Sequence, residues 1–297
     1  MTSPSRRNTL VGIGFMLLSV MLFSLSGAIG KWLVGAYPMG EALLIRSFTA
    51  LVLLAPFLWR EGLSAFTTAP RPRLQVLRAM ISTIEIVCFF WSVGYLPLAD
   101  VITFYLAVPI YVTALAPFVL NEHVGWRRWA AVLIGFAGVL LALKPSTAAL
   151  TAPALVALAG SVLYAVSLII TRVLRNTANV VLVSSQVATT AAFGLIAAPF
   201  GWVAPPLGDF ALMVLFGVLA MGGLPCLNMA LRRAPASVVV SYQYTTVWGV
   251  VLGYLIFGDE PRAHVIAGAG IIIAAGLFIF FREQRTARPK VKFTRRP

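Results

Sequence analysis

The 297-residue chain is 60% hydrophobic and only 11% charged, with a mean hydropathy of +0.93. Soluble domains carry roughly 25% charged residues, so this composition excludes an ordinary soluble protein and indicates an integral membrane protein. The net charge of +14 would also suit a nucleic-acid ligand. Its basic residues are dispersed between apolar stretches, however, so we expect no nucleic-acid partner.

Apolar windows of about 20 residues, the length that crosses a hydrocarbon core of roughly 30 Å, recur along the whole chain. They predict helices, because lipid offers no partner for free backbone groups and the windows lack the alternation of barrel strands. The ten predicted spans cover residues 10–34, 40–59, 74–95, 100–119, 127–143, 153–173, 180–200, 208–231, 236–257 and 263–281. The first span follows Arg6 and Arg7, as a signal peptide would. Its length favours a retained helix.

The distribution of basic residues predicts the orientation of the chain in the membrane. With a cytoplasmic N-terminus, 18 of the 23 Lys and Arg residues fall in inner segments. Only Lys31, Lys144 and Arg262 fall in outer segments, while Arg46 and Arg78 lie within spans. Basic residues are enriched in cytoplasmic loops, so both termini are expected to be cytoplasmic, with the basic segments near anionic lipid.

The two halves of the chain contain a weak internal repeat. Residues 88–139 align with residues 226–277 without a gap, giving nine identities in 52 columns. Pro97 and Pro235 each precede a predicted helix, and Glu122 and Glu260 each follow it. Because each half holds five spans, an odd number, the second half must enter the membrane from the opposite side. We therefore expect an N-terminal repeat over residues 1–145, an inverted repeat over 146–284 and a basic tail over 285–297.

Inverted repeats are typical of transporters, in which two halves rock about a shared site. The stretch LPLADVITFYLAVPIYVTALAPFVLNEHVGWRRWAAVLIGFAGVLLALKP, residues 96–145, resembles the EamA type of the drug/metabolite transporter superfamily. The resemblance covers nearly the full chain. It implies secondary transport of small metabolites, often export of amino acids, including aromatic ones. It also implies a location in the bacterial inner membrane, as a monomer or homodimer.

The polar segment SYQYTTVWG, residues 241–249, lies inside the ninth predicted span. On an α-helix Ser241, Tyr244, Thr245 and Trp248 share one side. Tyr and Trp favour the headgroup level, but these residues are predicted near mid-membrane. Either the side lines a cavity or its groups bond to neighbouring helices. The candidate cavity residues from all spans are Ser24, Ser82, Glu85, Tyr105, Tyr111, Tyr164, Ser241, Gln243, Tyr244, Thr245 and Trp248.

Glu85 is the costliest residue of the predicted spans, since an acidic group near the midplane costs on the order of 3 kcal/mol on insertion scales. Arg46 is predicted at a similar depth. Two interpretations stay open: a structural Arg46–Glu85 ion pair, or coupling of Glu85 to a proton or to the substrate. The first, third, fourth, sixth, eighth and ninth spans are expected to surround the cavity, while the fifth and tenth are peripheral and serve packing or dimerisation.

No enzymatic or cofactor motif accompanies these features. GAIGKW, residues 27–32, lacks the spacing of a phosphate loop, so ATP hydrolysis is not predicted. His123 and His264 are predicted on opposite sides of the membrane and cannot share a metal. We expect no cofactor, no metal and no catalytic residue. The predicted function is a gradient-driven exporter of amino-acid-like metabolites. The alternatives are a drug or nucleotide-precursor carrier, a non-transporting scaffold or an intramembrane enzyme.

Overall fold

The computed structural model describes residues 6–62, 64–67, 69–120, 125–143, 151–234, 236–259 and 261–286. These residues form helices and no strand. The helices are α1 (Arg6–Ala36), α2 (Met39–Glu61), α3 (Ser64–Thr67), α4 (Pro72–Val93), α5 (Leu98–Tyr105), α6 (Val108–Val119), α7 (Trp126–Leu143), α8 (Ala152–Val173), α9 (Asn179–Ala197), α10 (Leu207–Arg233), α11 (Ala236–Val239), α12 (Val247–Phe257) and α13 (Ala263–Thr286). A 3₁₀ helix, Val240–Thr246, joins α11 to α12.

Seven segments in the described part of the chain are long and apolar enough to cross a membrane. They are Asn8–Ala36, Met39–Glu61, Pro72–Val93, Leu98–Val119, Ala152–Val173, Asn179–Ala197 and Leu207–Arg233. Two shorter apolar helices, Trp129–Ala142 and Ala263–Phe278, accompany them. The expectation of an all-helical polytopic membrane protein is confirmed. Pro235, Glu122, Glu260, His123, Lys144, the boundary between the repeats and the tail from residue 287 lie outside the described residues.

Two of the predicted spans are not continuous α-helices. The fourth is divided into α5 and α6, because Pro109 has no N–H to donate to the carbonyl of Tyr105, where α5 ends. At this point the backbone forms hydrogen bonds between residues three apart, from Ala107 N–H to Phe104 O (3.1 Å) and from Ile110 N–H to Ala107 O (2.9 Å). The ninth span contains the 3₁₀ helix, so the side chains of SYQYTT point in different directions from those they would have on an α-helix.

The long helices pack in pairs: α1 against α10, α2 against α9, α4 against α8, and α7 against α13. Glycines permit the closest of these contacts. A Cβ atom at Gly268 of α13 would lie 2.6 Å from the carbonyl oxygen of Gly138 of α7, so a side chain there is sterically excluded. The α5–α6 segment fills the interior, where Val101, Ala107 and Ile110 are fully buried.

Polar contacts join the helix ends at the side of the bundle where α1 finishes. The Tyr37 hydroxyl donates to the carboxylate of Asp209 near the start of α10, and this hydrogen bond raises the pKa of Tyr37 to about 12. Lys31 forms an ion pair with Asp259, and the same carboxylate oxygen accepts the Leu98 N–H at 2.8 Å. These contacts connect α1 to elements distant in sequence.

Candidate functional site

A central cavity lies between α1, α2, α4, α5, α8, α9, α10 and the 3₁₀ helix. Its empty space is about 1110 Å³, counted with the open space that leads out of it. None of its described lining residues comes from α6, α7, α12 or α13. The peripheral position expected for the fifth and tenth spans agrees with this arrangement. The second and seventh spans, which the sequence did not predict at the cavity, contribute Arg46 and Gln186.

One wall of the cavity is aromatic. Phe89, Phe90, Tyr105 and Tyr164 all line it. Phe89 meets Phe90 and Tyr105 edge to face, with ring centroids 5.0 and 5.1 Å apart, and Tyr105 lies 5.9 Å from Tyr164. Edge-to-face contacts of this kind hold aromatic rings in fixed relative orientations. The wall therefore offers a stable apolar surface for a planar group.

Three charged side chains also line the cavity: Arg46, Arg78 and Glu85. All three are buried in α2 or α4. Arg78 donates to Gln186 Oε1 at 3.0 Å, to Ser185 Oγ at 3.3 Å and to the carbonyl oxygen of Leu182. These bonds fix Arg78 to α9. Arg46, by contrast, stacks over the ring of Phe216 at 4.8 Å and forms no hydrogen bond with the described residues.

The Arg46–Glu85 ion pair that the sequence left open is not formed between these side chains. Both line the cavity within electrostatic reach of each other, yet no nitrogen–oxygen contact joins them. Lys31–Asp259 is the ion pair found within the described part of the chain. Glu85 and Arg46 thus line one cavity without a direct contact between the carboxyl group and the guanidinium group.

Neutral polar groups complete the lining. Ser82 Oγ lies 2.6 Å from Ser167 Oγ, which joins α4 to α8 across the cavity surface. Gln243 donates to the Tyr164 hydroxyl at 2.9 Å, while Gln243 Oε1 is buried without a partner. The buried atoms Ser24 Oγ, Arg46 Nε and Arg78 Nε also lack partners among the described residues. Since buried polar atoms are normally hydrogen-bonded, unpartnered polar atoms on the surface of a cavity are typical of a ligand site.

The structure brings six of the eleven predicted cavity residues together: Ser24, Ser82, Glu85, Tyr105, Tyr164 and Gln243. Arg46, predicted only as a possible partner of Glu85, lines the cavity as well. The remaining five, Tyr111, Ser241, Tyr244, Thr245 and Trp248, are not among its lining residues. Four of those five belong to SYQYTTVWG.

The 3₁₀ geometry explains this outcome for SYQYTTVWG. In a 3₁₀ helix residues three apart share a face, whereas the predicted α-helix has 3.6 residues per turn. Gln243 and Thr246 therefore face the cavity together. Tyr244 packs instead onto α13, where a Cβ atom at Gly276 would overlap its hydroxyl oxygen. Trp248, at the start of α12, is 64% exposed on the surface of the bundle.

Ser241, Thr245 and Tyr111 occupy other positions away from the cavity. Ser241 is buried, and the Thr245 hydroxyl donates to the carbonyl oxygen of Tyr242 at 2.6 Å. Tyr111 follows the break between α5 and α6 and lies 5.5 Å from the ring of Phe136 on α7. The break at Pro109 thus separates Tyr105, which lines the cavity, from Tyr111, which packs behind it.

The predicted set omitted several lining residues, including Arg78, Gln186, Asn228 and Thr246. Arg78 and Asn228 carried the same signal as Glu85, a costly polar group inside an apolar span. Asn228 donates to Asn179 Oδ1 at 2.9 Å, and Asn179 donates to the carbonyl oxygen of Pro225 at 3.2 Å. Gln186 lies among several Ser and Thr residues of α9, a residue type that often bonds only to its own backbone and therefore gives a weak signal in a sequence.

A cavity that is lined by charged side chains and enclosed by apolar helices from both halves of the chain is typical of a membrane carrier. The EamA-like transporter family model matches residues 10–144 and again residues 151–281. The chain therefore belongs to the EamA-like transporter family, and the resemblance inferred from residues 96–145 is confirmed.

Three curated relatives cover nearly the whole chain. The S-adenosylmethionine uptake transporter of Rickettsia bellii is 27% identical over 95% of this chain and 97% of its own length. The riboflavin transporter of Rhizobium johnstonii is 29% identical, with coverages of 96% and 95%. The pseudopaline exporter CntI of Pseudomonas aeruginosa is 26% identical, with coverages of 89% and 94%.

A solved crystal structure has the same fold as this chain. It aligns with a TM-score of 0.66 at 17% identity, covering 95% of this chain and 99% of the other. Because the identity is low, this likeness concerns the fold alone.

Proposed function

We propose that the protein carries a small metabolite across the bacterial inner membrane by alternating access at the central cavity. The observation that carries this proposal is the group of unpaired buried polar atoms that converge on one cavity. Burying such atoms without a ligand is costly, and a passing solute supplies partners for them. Family membership supports the same conclusion.

The proposed architecture is ten spans in two inverted repeats, residues 1–145 and 146–284. The seven long segments, together with α7, α13 and the α11-to-α12 segment, give ten. In this arrangement α1 of the first repeat corresponds to α8 of the second, and α4 corresponds to α10. The contact of α1 with α10 therefore has its equivalent in the contact of α8 with α4, and both pairs of helices pack closely. The two family matches also divide the chain near residue 145.

Both termini are proposed to be cytoplasmic, because 18 of the 23 basic residues then lie inside. A C-terminal fusion to alkaline phosphatase, which is active only outside the inner membrane, should give no activity in cells. The same fusion after residue 261, in a segment proposed to be outside, is the matched positive control. Strong activity from the C-terminal fusion would reverse the topology.

The proposed cargo is a ring-containing metabolite. S-adenosylmethionine and riboflavin, after which two of the relatives are named, both contain fused planar rings, and the aromatic wall suits such a group. None of the three relatives is named as an amino-acid exporter, so the comparisons give no support to export of amino acids. Uptake is the proposed direction, because the Rickettsia relative is named an uptake transporter.

Catalysis is not part of the proposed function. An acid–base or nucleophilic mechanism needs at least two suitably placed groups, and Glu85 is the sole carboxylate among the described lining residues. A scaffold without cargo would have no need for the unpaired charges. Transport is therefore the function that accounts for the cavity.

Flux into proteoliposomes tests the proposal directly. Purified protein should take up at least one member of a panel of S-adenosylmethionine, riboflavin, tryptophan and pseudopaline. Protein-free liposomes give the background, and a preparation loaded with solute reports export. Absence of flux for every member in both directions, from monodisperse protein, would contradict a carrier function for these solute classes.

A further inference from the structure

We infer that the cavity recognises a ring-containing metabolite by an α-amino acid end, and that Arg46 binds the carboxylate of that end. This inference rests on the proposed function, since it assigns the chemistry of the same cavity. The two buried arginines of the cavity differ in their hydrogen bonding.

Arg46 is the cation that lacks partners. Its side chain is only 6% exposed, its Nε is buried without an acceptor, and none of its guanidinium nitrogens bonds to a described residue. Arg78, one helix away, already donates to Gln186, Ser185 and Leu182. A guanidinium carries five N–H donors, and leaving them unmet in a buried site is costly. The ligand is therefore expected to supply the acceptors for Arg46.

The Phe216 ring prepares Arg46 for a planar anion. The guanidinium carbon lies over that ring at 4.8 Å, so the ring covers one face of the group. Phe216 is itself held edge to face against Phe90, with centroids 5.2 Å apart. A stacked guanidinium keeps its donors along its edge, where a carboxylate can accept two parallel hydrogen bonds.

Glu85 supplies the opposite charge for the other half of the group. It is 9% exposed, lines the same cavity and forms no ion pair with a described residue. Two opposite charges that do not meet directly are matched by a ligand that places an anion by one and a cation by the other. A carboxylate next to an ammonium has this arrangement, and Gln243 Oε1 is a further acceptor on the cavity lining.

The remainder of the ligand is assigned to the aromatic wall of Phe89, Phe90, Tyr105 and Tyr164. Of the solutes for which the relatives are named, S-adenosylmethionine combines an amino acid end with a planar base. Riboflavin has a planar ring but no such end. The chemistry of the lining therefore favours the first class over the second.

A pair of analogues isolates the amino acid end. S-adenosylhomocysteine and 5′-methylthioadenosine share the nucleoside thioether and differ in whether that end is present. Binding of each is measured by isothermal titration calorimetry and thermal shift on the purified full-length protein, and uptake is measured in proteoliposomes. We expect the wild type to bind S-adenosylhomocysteine roughly 10- to 100-fold more tightly, as charge-assisted hydrogen bonds of this kind imply.

The variant Arg46→Gln should reduce that preference to about 3-fold or less by weakening the binding of S-adenosylhomocysteine alone, since Gln retains single hydrogen bonds but not the bidentate charge-assisted pair. Arg46→Lys should recover part of the preference. Arg175→Gln, the same change at an exposed arginine, is the matched control and should leave both ligands unaffected. Because the analogue comparison needs only the wild type, it holds even if Arg46→Gln does not fold.

Equal binding of the two analogues by the wild type would overturn the inference, as would an Arg46→Gln variant that weakens both ligands equally. Uptake of riboflavin with neither analogue bound would also overturn it, while leaving the carrier function intact. Absence of flux for every solute would contradict the carrier function itself. The two failures are thus distinguishable.

Discussion

Two charged regions of the molecule differ in how their charges are balanced. Beside the end of α1, Lys31 and Asp259 form an ion pair, Asp259 accepts the Leu98 N–H at 2.8 Å, and Lys31 lies 4.7 Å from the centroid of the Phe257 ring. In the central cavity, Arg46 and Glu85 carry opposite charges but are not directly paired.

This difference in pairing distinguishes charged residues that stabilise the fold, Lys31 and Asp259, from those that we assign to substrate binding, Arg46 and Glu85. At the Lys31–Asp259 contact the charges satisfy each other and a backbone donor, so they join α1, α5 and the chain after α12 without a ligand. Arg46 and Glu85, by contrast, form no ion pair that would offset the cost of their burial, and buried ionisable groups of this kind mark sites of binding or coupling. Substitutions in the cavity should therefore reduce transport, whereas substitutions at the Lys31–Asp259 contact should reduce stability.

The largest effect is expected from Glu85→Gln. This change preserves size and hydrogen bonding but removes the charge and the titration of the carboxyl group. We expect flux in proteoliposomes to fall roughly 10- to 100-fold, the equivalent of the 1.5–3 kcal/mol typical of a hydrogen bond to a charged group. Any dependence of flux on pH that arises from Glu85 should disappear.

Thermal unfolding in detergent is the control for Glu85→Gln, and we expect the variant to be folded and monodisperse. An unchanged rate and an unchanged pH profile would make Glu85 a structural residue. If the variant failed to fold and Arg46→Gln restored folding, the two charges would depend on each other for stability, and the distinction between the two regions would not hold.

A smaller effect, and one on stability rather than flux, is expected from Asp259→Ala. The change removes the partner of Lys31 and the acceptor of the Leu98 N–H, so we expect a loss of about 1–3 kcal/mol. Asp259→Asn keeps an acceptor and should lose less, about 0.2–1 kcal/mol. Unfolding in detergent measures both. A loss of flux as large as that of Glu85→Gln would show that this pair takes part in the transport cycle.

The smallest effect is expected from Trp248→Ala. The indole is 64% exposed on the surface of the bundle and does not line the cavity, so flux should change by less than a factor of two for large and small solutes alike. Tyr164→Ala is the matched comparison, because it removes an aromatic ring that lines the cavity. A selective loss of transport of large solutes in the Trp248 variant would show that Trp248 contacts the substrate.

The local sequence was sufficient to predict the membrane-spanning helices and to identify polar residues whose burial in them is energetically costly. Continuous apolar runs require helices in lipid, whatever their neighbours, and this is why the main helices could be predicted within a few residues. The same reasoning found Glu85, Arg46 and Ser82, because a polar group in an apolar run is informative by itself. It did not predict Arg78 or Asn228 as lining residues, although they carried the same signal.

Tertiary structure decided which side of each helix meets the cavity. Pro109 divides the fourth predicted span, so Tyr105 and Tyr111 diverge, and the 3₁₀ helix turns Gln243 and Thr246 inward while Tyr244 packs on Gly276. Whether Arg46 meets Glu85 directly was also beyond the sequence, since the two lie on different helices. Composition and hydropathy act locally and determine that a helix forms. Which side of a helix faces the cavity, and which charged residues pair, depend on the distances between helices, and only the packed bundle defines those distances.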